Sequence, residues 1–284
     1  MIIFISRLVL AVLLVGFLAV PSSRAQDRKL EDIASALVSL EGREIRKITT
    51  ENDQYEVWLK HPAKVLLEPD WTTYSGTGFF VMLGESPYLV TAAHVARRMD
   101  FWARATIRGA QGKPVTISLM ELCGVSGTIP WLYHVEADVA VLPLKPSERL
   151  QQDIEKHFLP YEWIMKEEKA PPAKSLLTVI GIPSEQEMED RFSPVLQNFK
   201  ASSGLIGYPR IDTGQETTFF FLDRPSPSGF SGAPVFEELN NDTKLVGLVY
   251  GTVSDTAGGG FSAVVPSVFI AETLDGASDL KPSN

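Results

Sequence analysis

Three short segments of this 284-residue chain contain the residue types that nucleophilic catalysis uses. The first covers residues 228–235, Ser-Gly-Phe-Ser-Gly-Ala-Pro-Val, and holds Ser231 between Gly229 and Gly232. A serine in such a turn exposes its hydroxyl, and the glycines let a substrate approach the backbone closely. A hydroxyl of ordinary pKa is a weak nucleophile, so the chemistry also needs a general base and a group that orients the base.

The other two segments supply one candidate for each of these roles. His94 ends a small-residue turn, Thr-Ala-Ala-His, which follows the apolar, strand-like residues 88–90. Asp138 lies at the polar entry to the apolar run 139–142. Asp138 comes 44 positions after His94, and Ser231 comes 93 positions after Asp138. This order excludes an α/β-hydrolase, in which the serine comes first and lies in G-x-S-x-G.

In their order and spacing, the three segments resemble the signatures of the chymotrypsin- and trypsin-like serine peptidases. Within that clan the chain is similar in appearance to the HtrA-type branch. Three further segments carry this second resemblance: residues 75–81 (Ser-Gly-Thr-Gly-Phe-Phe-Val), Asp223 six positions before Gly229, and residues 260–266 (Gly-Phe-Ser-Ala-Val-Val-Pro). The similarity covers about residues 70–275, so we expect a protease domain alone, without a PDZ domain.

The resemblance implies an all-β fold of two six-stranded antiparallel β-barrels, with the active site in the cleft between them. His94 and Asp138 would belong to the first barrel and Ser231 to the second. His94 would take the Ser231 proton during attack on a peptide carbonyl, while Asp138 fixes the imidazole tautomer. The N–H groups of Gly229 and Ser231 would bind the oxyanion. Such an enzyme needs no cofactor and no metal.

The same resemblance assigns residues to the base and the walls of a substrate cleft. The base would be Pro225 and Ser226; one wall, which pairs with an extended substrate, would be Tyr250, Gly251 and Thr252, and the other would be residues 258–261. No carboxylate falls at the base. This disfavours Lys or Arg in the primary pocket and predicts a preference for small or medium apolar side chains.

Two residues depart from the pattern of the clan. Phe230 replaces the usual Asp or Asn beside the nucleophile, so an N-terminus freed from a zymogen has no carboxylate to pair with there. Tyr250 replaces a smaller residue near Asp138. We expect the tyrosine either to hydrogen-bond that carboxylate or to crowd it.

The remaining histidines are weaker candidates for catalysis. His134 lies four positions before Asp138 and is an alternative general base. His61 lies in a polar stretch and His157 in the predicted linker helix. Because no third ligand stands at metal-binding spacing, we expect no zinc site.

Residues 1–25 have the features of a secretory signal peptide. An apolar core of 13 residues, 8–20, follows Arg7, and Ser23 and Ala25 are small residues suited to a cleavage site. A membrane-spanning helix needs about 20 apolar residues. We therefore expect a secreted or periplasmic protein, with a membrane anchor through an uncleaved N-terminal segment as the alternative.

Charge and cysteine content narrow the class of partner. The chain carries 26 basic and 35 acidic residues, a net charge of −9, and loss of two arginines with the leader would make it −11. An acidic chain without basic clusters is a poor ligand for nucleic acid or anionic lipid, so we expect protein or peptide partners. Cys123 is the only cysteine, so no intrachain disulfide can form. We favour a monomer.

Hydrophobic patterns divide the first half of the chain into two parts. In residues 26–54 we expect a helical extension, with a helix from Asp27 to Glu41 packed outside the catalytic body or serving as a propeptide. Its evidence is helical spacing of Leu30, Ile33, Leu37 and Leu40, with Gly42 as the stop. Residues 55–145 predict the first barrel, with strands at 76–82, 88–91, 105–108 and 115–119 and a turn at 109–113.

The second half begins with a break in this pattern. Prolines and charges in residues 146–174 predict a linker, with a short helix through Leu150, Ile154 and Phe158. Residues 175–284 predict the second barrel and a final helix over about residues 267–273 that stops near Gly276. The strands expected there are 175–182, 204–211, 217–222, 233–236, 245–252 and 260–265.

The sequence thus favours a serine endopeptidase that acts through a covalent acyl-enzyme. An alternative from another class is a catalytically silent trypsin-like domain that binds peptides or partner proteins. An esterase is a third hypothesis, which the order of the triad disfavours.

Overall fold

Two antiparallel β-sheets dominate the structure, a computed structural model that describes residues 23–47, 70–100, 102–154, 157–184, 191–210, 212–239, 242–254 and 259–279. The apolar core of the predicted leader and His61 lie outside the described residues. None of the described helices is long and apolar enough to cross a membrane.

The first sheet has eight strands and carries the segments around His94 and Asp138. Seven of them lie side by side in the order β5-β4-β1-β2-β3-β7-β6, and β8 pairs in parallel with β2. The strands are β1 (Leu37–Lys47), β2 (Asp70–Leu83), β3 (Ser86–Thr91), β4 (Arg104–Arg108), β5 (Pro114–Ser118), β6 (Leu132–Tyr133), β7 (Ala140–Pro143) and β8 (Leu159–Pro160).

The second sheet has seven strands and carries the segment around Ser231. Their order is β10-β9-β13-β14-β15-β12-β11. The strands are β9 (Leu176–Gly181), β10 (Val195–Lys200), β11 (Ile206–Pro209), β12 (Glu216–Leu222), β13 (Pro234–Leu239), β14 (Asp242–Ser254) and β15 (Gly260–Pro266). Ser231 lies in the connection between β12 and β13.

The described residues form five α-helices besides the two sheets. They are α1 (Ser23–Ser35), α2 (Ala93–Ala96), α3 (Leu119–Cys123), α4 (Glu148–Ile154) and α5 (Val268–Asp279), and short 3₁₀ turns lie at Ala110–Gly112 and Tyr161–Trp163. The predicted turn at 109–113 is confirmed, because Gln111 and Gly112 both have positive φ there. The predicted short linker helix is α4, but Phe158 lies beyond its end.

The all-β class with two antiparallel sheets is confirmed, whereas the expected strand number is wrong. The sheets have eight and seven strands instead of six, and the strand pairings of the described residues do not close either sheet into a barrel. The strands that the sequence analysis did not predict are β1, β6, β8 and β10. In β10, which lies at the sheet edge, only Phe199 is buried and three of the six residues are polar, so its apolar signal is weak.

The predicted helix from Asp27 to Glu41 ends too late. Helix α1 stops at Ser35, and Leu37 and Leu40 instead lie in β1. β1 sits between β2 and β4, so residues 36–38 and Leu40 are fully buried. Pairing on both sides overrides the helical spacing of the leucines, because apolar runs of this length fit a buried strand equally well.

The final helix extends further than predicted. Helix α5 continues through Gly276 to Asp279. A side chain at Gly276 would meet open space, and its φ is not positive, so this glycine neither packs closely nor ends the helix. Burial of Leu274 and Ala277 on the sheets holds the last turns in place.

Two apolar cores stabilise the fold. One lies within the second sheet and includes Phe199, Phe220 and Phe230. The larger contains residues of the first sheet, of α5 and of the second sheet, such as Phe80, Leu274 and Leu248. The two sheets therefore share a buried interface, which fixes the position of the Ser231 segment relative to His94.

The placement of β1 in the core predicts a large effect of Leu37→Ala. Deleting a fully buried leucine side chain costs about 2 to 5 kcal/mol of unfolding free energy. Urea denaturation measures this cost, and Ser39→Ala, at a partly exposed position of the same strand, is the matched control. Equal stabilities of the two variants would contradict a core strand at residues 37–40.

Candidate active site

His94 is positioned by the tight connection between β3 and α2. The apolar strand ends at Thr91, and His94 is the second residue of the four-residue helix α2. The free N–H groups at the start of this helix bond to Asp138: Ala93 N donates to its carbonyl oxygen at 3.2 Å and His94 N to its Oδ1 at 2.9 Å. Asp138 thus fixes the backbone of His94 as well as its ring.

The side chains of His94 and Asp138 form a short hydrogen bond. His94 Nδ1 lies 2.6 Å from Asp138 Oδ2. The carboxylate is fully buried, while the imidazole is 29% exposed. A buried carboxylate facing Nδ1 favours a proton on that nitrogen, which leaves the lone pair on Nε2. The pair therefore has the geometry of an oriented general base.

The Ser231 turn depends on two glycines in the left-handed region. Gly229 has φ of 91° and Gly232 has φ of 86°. A side chain at Gly232 would meet the carbonyl oxygen of Thr77 at 2.1 Å, so the turn packs directly on β2. Both the conformation and the close approach require glycine here.

Thr77 of β2 holds the Ser231 turn from the first sheet. Its N–H donates to the carbonyl oxygen of Ser231 at 2.9 Å, and its hydroxyl donates to that of Gly229 at 2.8 Å. The same hydroxyl accepts from Ile182 N at 2.9 Å, and the Thr77 carbonyl accepts from Thr91 Oγ1 at 2.7 Å. Thr77 is fully buried, so these bonds are protected from water. Thr77 lies in the segment 75–81, but no sequence pattern indicates this role.

The hydroxyl of Ser231 donates to the carbonyl oxygen of Tyr250 at 3.0 Å. Within the described residues this bond, and not one to His94, engages Ser231 Oγ. A methyl group at Gly251 would lie 3.9 Å from Ser231 Oγ, so the glycine leaves space beside the nucleophile. Rotation about the serine χ1 angle between staggered positions redirects the hydroxyl at small cost.

Two backbone donors stand free at the turn. Among the described residues, neither Gly229 nor Ser231 uses its N–H in a hydrogen bond. Phe230 N between them is engaged, because it donates to the carbonyl oxygen of Pro227 at 3.2 Å. Two unpaired N–H groups with one residue between them can donate together to an oxyanion.

Phe230 anchors the turn in the core of the second sheet. Its side chain is fully buried, and a side chain at Gly181 would meet its ring at 2.8 Å. The position next to the nucleophile therefore contributes packing energy in place of a charge.

Tyr250 packs against the imidazole. The rings of Tyr250 and His94 meet edge to face with their centroids 5.4 Å apart, and the Tyr250 ring lies 4.9 Å from that of Phe219. Only 4% of Tyr250 is exposed. The tyrosine forms one side of the His94 site and covers part of the imidazole.

Two residues that the sequence analysis missed complete the surroundings of Asp138. Arg210, in the turn between β11 and β12, donates from NH2 to Asp138 Oδ1 at 3.0 Å, and Arg210 is 2% exposed. Asp212 accepts from Arg210 NH2 at 2.8 Å and pairs with Arg97 of the His94 segment. No local sequence pattern signals this contact, because Arg210 and Asp138 are 72 positions apart.

The charges of this group shift its pKa values. Burial alone would raise the pKa of Asp212, but the hydrogen bond and charge of Arg210, with the charges of Arg97 and His94, lower it below its ordinary value. Burial alone would lower the pKa of Arg210, and the bond to Asp212 with the charges of Asp138 and Asp212 raises it. Both groups are therefore charged at neutral pH.

Of the described residues predicted to line the cleft, Tyr250 and Gly251 lie beside Ser231, and the others contact β15. Ser226 N donates to Ser262 Oγ at 2.6 Å, which fixes the predicted base against β15. A methyl group at Gly260 would contact Pro225 Cγ at 2.9 Å and Thr252 Cγ2 at 3.6 Å, so base and walls are contiguous. Residue 258 lies outside the described residues, and Phe261 is 45% exposed.

His134 has both ring nitrogens engaged away from Ser231. Nδ1 accepts from the N–H groups of Glu136 and Ala137 at 3.1 and 2.8 Å, and Nε2 lies 3.1 Å from Glu272 Oε2. These bonds give His134 a structural role in the loop that carries Asp138. In the described part of the chain, no cluster of three His, Cys, Asp or Glu residues is arranged to hold a metal ion.

Comparisons with known proteins identify a matching family and a shared fold. The family model described as a trypsin-like peptidase domain matches residues 76–248. No curated protein sequence is significantly similar to the chain. Among solved structures, a serine-to-alanine variant of the HtrA-type protease AlgW with a decapeptide has a TM-score of 0.55 at 14% identity, over 89% of this chain and 67% of that chain.

Two further solved structures share the fold at similar identity. AlgW with a decapeptide has a TM-score of 0.51 at 15% identity, over 88% of this chain and 66% of that chain. The inactive form of Rv3671c from M. tuberculosis H37Rv, a serine-to-alanine mutant, has a TM-score of 0.50 at 14% identity, over 93% of this chain and 96% of that chain. This chain thus spans about two thirds of AlgW and nearly all of the Rv3671c chain.

The bonds of Thr77 predict that Thr77→Val destabilises the fold and disorders the Ser231 turn. The variant leaves the Gly229 carbonyl and the Ile182 N–H unpaired, at about 1 to 3 kcal/mol of unfolding free energy. Chemical denaturation measures the loss. Thr116→Val, at an exposed position of β5, is the matched control, and an equally small effect of both substitutions would contradict the role of Thr77.

The lowered pKa of Asp212 predicts that its contribution to stability depends on pH. The stabilisation is fully present above the pKa of an unfolded aspartate, near about pH 4, and is lost as pH falls through the lower folded-state pKa. The unfolding free energy of the wild type should therefore exceed that of Asp212→Asn most at neutral pH and less toward about pH 2. A difference that is constant from about pH 7 to 2 would contradict this prediction, and Glu168→Gln, at an exposed position, is the control.

Proposed function

The chain belongs to the family of trypsin-like peptidase domains, and we propose that within this family it is a serine endopeptidase. The observation that carries the proposal is the buried Asp138 carboxylate, 2.6 Å from His94 Nδ1, in the same site as Ser231. A buried acid that orients an imidazole next to a serine turn is the arrangement that activates a hydroxyl.

Catalysis proceeds by acyl transfer in two steps. Ser231 Oγ leaves the Tyr250 carbonyl, gives its proton to His94 Nε2 and forms a bond with the carbonyl carbon of a peptide. His94 then protonates the leaving amine, and a water molecule deprotonated by His94 hydrolyses the acyl-enzyme. Asp138 stabilises the imidazolium that forms in each step.

The oxyanion of each tetrahedral intermediate accepts hydrogen bonds from Gly229 N and Ser231 N. Both groups are free among the described residues, and the hydroxyl of Thr77 fixes the Gly229 carbonyl that lies between them. Preorganised donors of this kind contribute about 3 to 4 kcal/mol each to the stability of the transition state.

The substrate binds as an extended strand along β14. β13 pairs with β14 only as far as Leu248, so Gly251 and Thr252 have no strand on the side of Ser231 among the described residues. Main-chain pairing at a free strand edge suits peptides of many sequences. The decapeptide in the AlgW structures supports this class of substrate. The uncharged base of Pro225 and Ser226 favours small or medium apolar side chains in the primary pocket.

One observation favours the silent binding domain as a second candidate function. The Ser231 hydroxyl donates to the Tyr250 carbonyl, and so it is not directed at His94. A domain fixed in this state would keep the free edge of β14 and bind peptides without turnover. In either case we propose peptides or proteins as partners. The export of the protein, which the signal-peptide features of residues 1–25 predict, stays a prediction.

A fluorophosphonate probe separates the two candidates. In an active enzyme the probe forms one covalent adduct at Ser231, because only an activated serine attacks phosphorus. Intact mass measures the adduct, Ser231→Ala should abolish it, and Ser202→Ala, at an exposed serine, should retain it.

Absence of an adduct in folded protein between about pH 6 and 9 would support the silent domain instead, because a histidine base is neutral over most of that range. If the protein labels, untreated enzyme without the probe should cleave a peptide library after small or medium apolar residues. Cleavage only after Arg or Lys would contradict the proposed pocket.

A further inference from the structure

We propose that Arg210 is a positioning residue for the His94–Asp138 pair, and that Asp212 prevents the positive charge of Arg210 from weakening this pair. The proposal rests on the function proposed above. Arg210 belongs to the second sheet, in the turn after β11, whereas both of its catalytic neighbours belong to the first. It therefore couples the sheet that carries Ser231 to the carboxylate that orients the base.

Every N–H donor of the Arg210 guanidinium has a hydrogen-bond partner. The guanidinium makes five hydrogen bonds, which equals its number of N–H donors. NH1 donates to the carbonyl oxygens of Glu136 and Ala137 at 3.2 and 3.0 Å, and NH2 donates to Asp138 Oδ1. Nε donates to Asp212 Oδ1 at 3.0 Å, and NH2 donates to Asp212 Oδ2 at 2.8 Å. Three consecutive residues that end in Asp138 are thus held by one rigid group.

These bonds determine the orientation of the carboxylate. Asp138 Oδ1 accepts from Arg210 NH2 and from His94 N, which leaves Oδ2 directed at His94 Nδ1. Without Arg210, only His94 itself holds the carboxylate among the described residues. A rotated carboxylate would no longer specify which imidazole nitrogen carries the proton.

A cation beside Asp138 also has an electrostatic cost, which Asp212 offsets. A buried positive charge would weaken the attraction of Asp138 for an imidazolium. Asp212, whose side chain is 19% exposed, shares the same guanidinium, so the group of Asp138, Arg210 and Asp212 keeps one net negative charge. Among the described residues, the Tyr250 ring from β14 packs on the His94 ring. Arg97, three positions after His94, pairs with Asp212 and is 41% exposed.

The two residues therefore have opposite expected effects on the pH dependence of catalysis. The rate of Ser231 labelling should decline at low pH, and we call this decline the acid limb. Arg210→Met removes a positive charge and should move the acid limb to higher pH by roughly 0.5 to 1.5 units. Asp212→Asn removes a negative charge and should move that limb to lower pH by a similar amount. A residue that only stabilised the fold would give no such pair of shifts.

Arg210→Lys separates position from charge. Lysine keeps the positive charge but cannot make the planar set of bonds, so the acid limb should stay where it is in the wild type. The rate constant of labelling should still fall, by about 10- to 100-fold, as expected for loss of charge-assisted hydrogen bonds to Asp138. Arg104→Met, at an exposed arginine of β4, is the matched control and should label like the wild type.

The test combines the labelling kinetics with the nitrogen chemical shifts of the isotope-labelled His94 ring, recorded in full-length Ser231→Ala protein. These shifts report which nitrogen carries the proton, and they do so whether or not Ser231 is reactive. We expect one tautomer, protonated at Nδ1, when Arg210 is present and a mixture in Arg210→Met. Circular dichroism identifies the variants that fold. If Arg210→Met does not fold, Arg210→Lys and Asp212→Asn test the proposal in its place.

Each outcome decides one proposal. A wild type that does not label, with an Arg210-dependent tautomer, would refute the peptidase function and retain the positioning role. Labelling of the wild type together with unchanged rate, acid limb and tautomer in the folded Arg210 variants would overturn the positioning role and retain the peptidase function.

Discussion

The buried carboxylate of Asp138 is the constraint on which the site depends. A fully buried charge must be paired and hydrogen-bonded, and Asp138 meets this requirement with donors from two sheets: the backbone and ring of His94 and the guanidinium of Arg210. The need to satisfy one charge therefore aligns the helix that carries His94, the loop before β7 and the turn after β11. The bonds that fix the geometry of the candidate site are therefore the same bonds that stabilise the fold at this point.

A second set of bonds connects the sheets around the nucleophile. Thr77, in the interior of β2, binds both the Ser231 and the Gly229 carbonyl groups, and the Phe230 ring is buried in the opposite core. The turn is held from the first sheet by polar groups and from the second by an apolar side chain. Because Phe230 beside Ser231 carries no charge, this anchor is formed by folding alone, with no ion pair to make or break.

The sequence predicted the all-β class and the two antiparallel sheets, because strand periodicity and turn residues are local signals. It did not predict that Leu37 and Leu40 lie in a central strand, since their spacing also fits a helix and only pairing with β2 and β4 decides between the two. The sequence indicated His94, Asp138 and Ser231 as candidates because each lies in a short motif and the three have a characteristic order, and their catalytic roles stay a prediction. Arg210 and Asp212 were not found, because their contact with Asp138 is created only by the docking of the two sheets.

A crystal structure of the fluorophosphonate adduct tests the central claim most directly, namely that the His94–Asp138 pair and the free N–H groups serve Ser231. The account predicts phosphorus bonded to Ser231 Oγ and a phosphonyl oxygen about 2.7 to 3.1 Å from both Gly229 N and Ser231 N. The bond between His94 Nδ1 and Asp138 should be retained. An adduct on another residue, or a phosphonyl oxygen directed away from both N–H groups, would contradict the account.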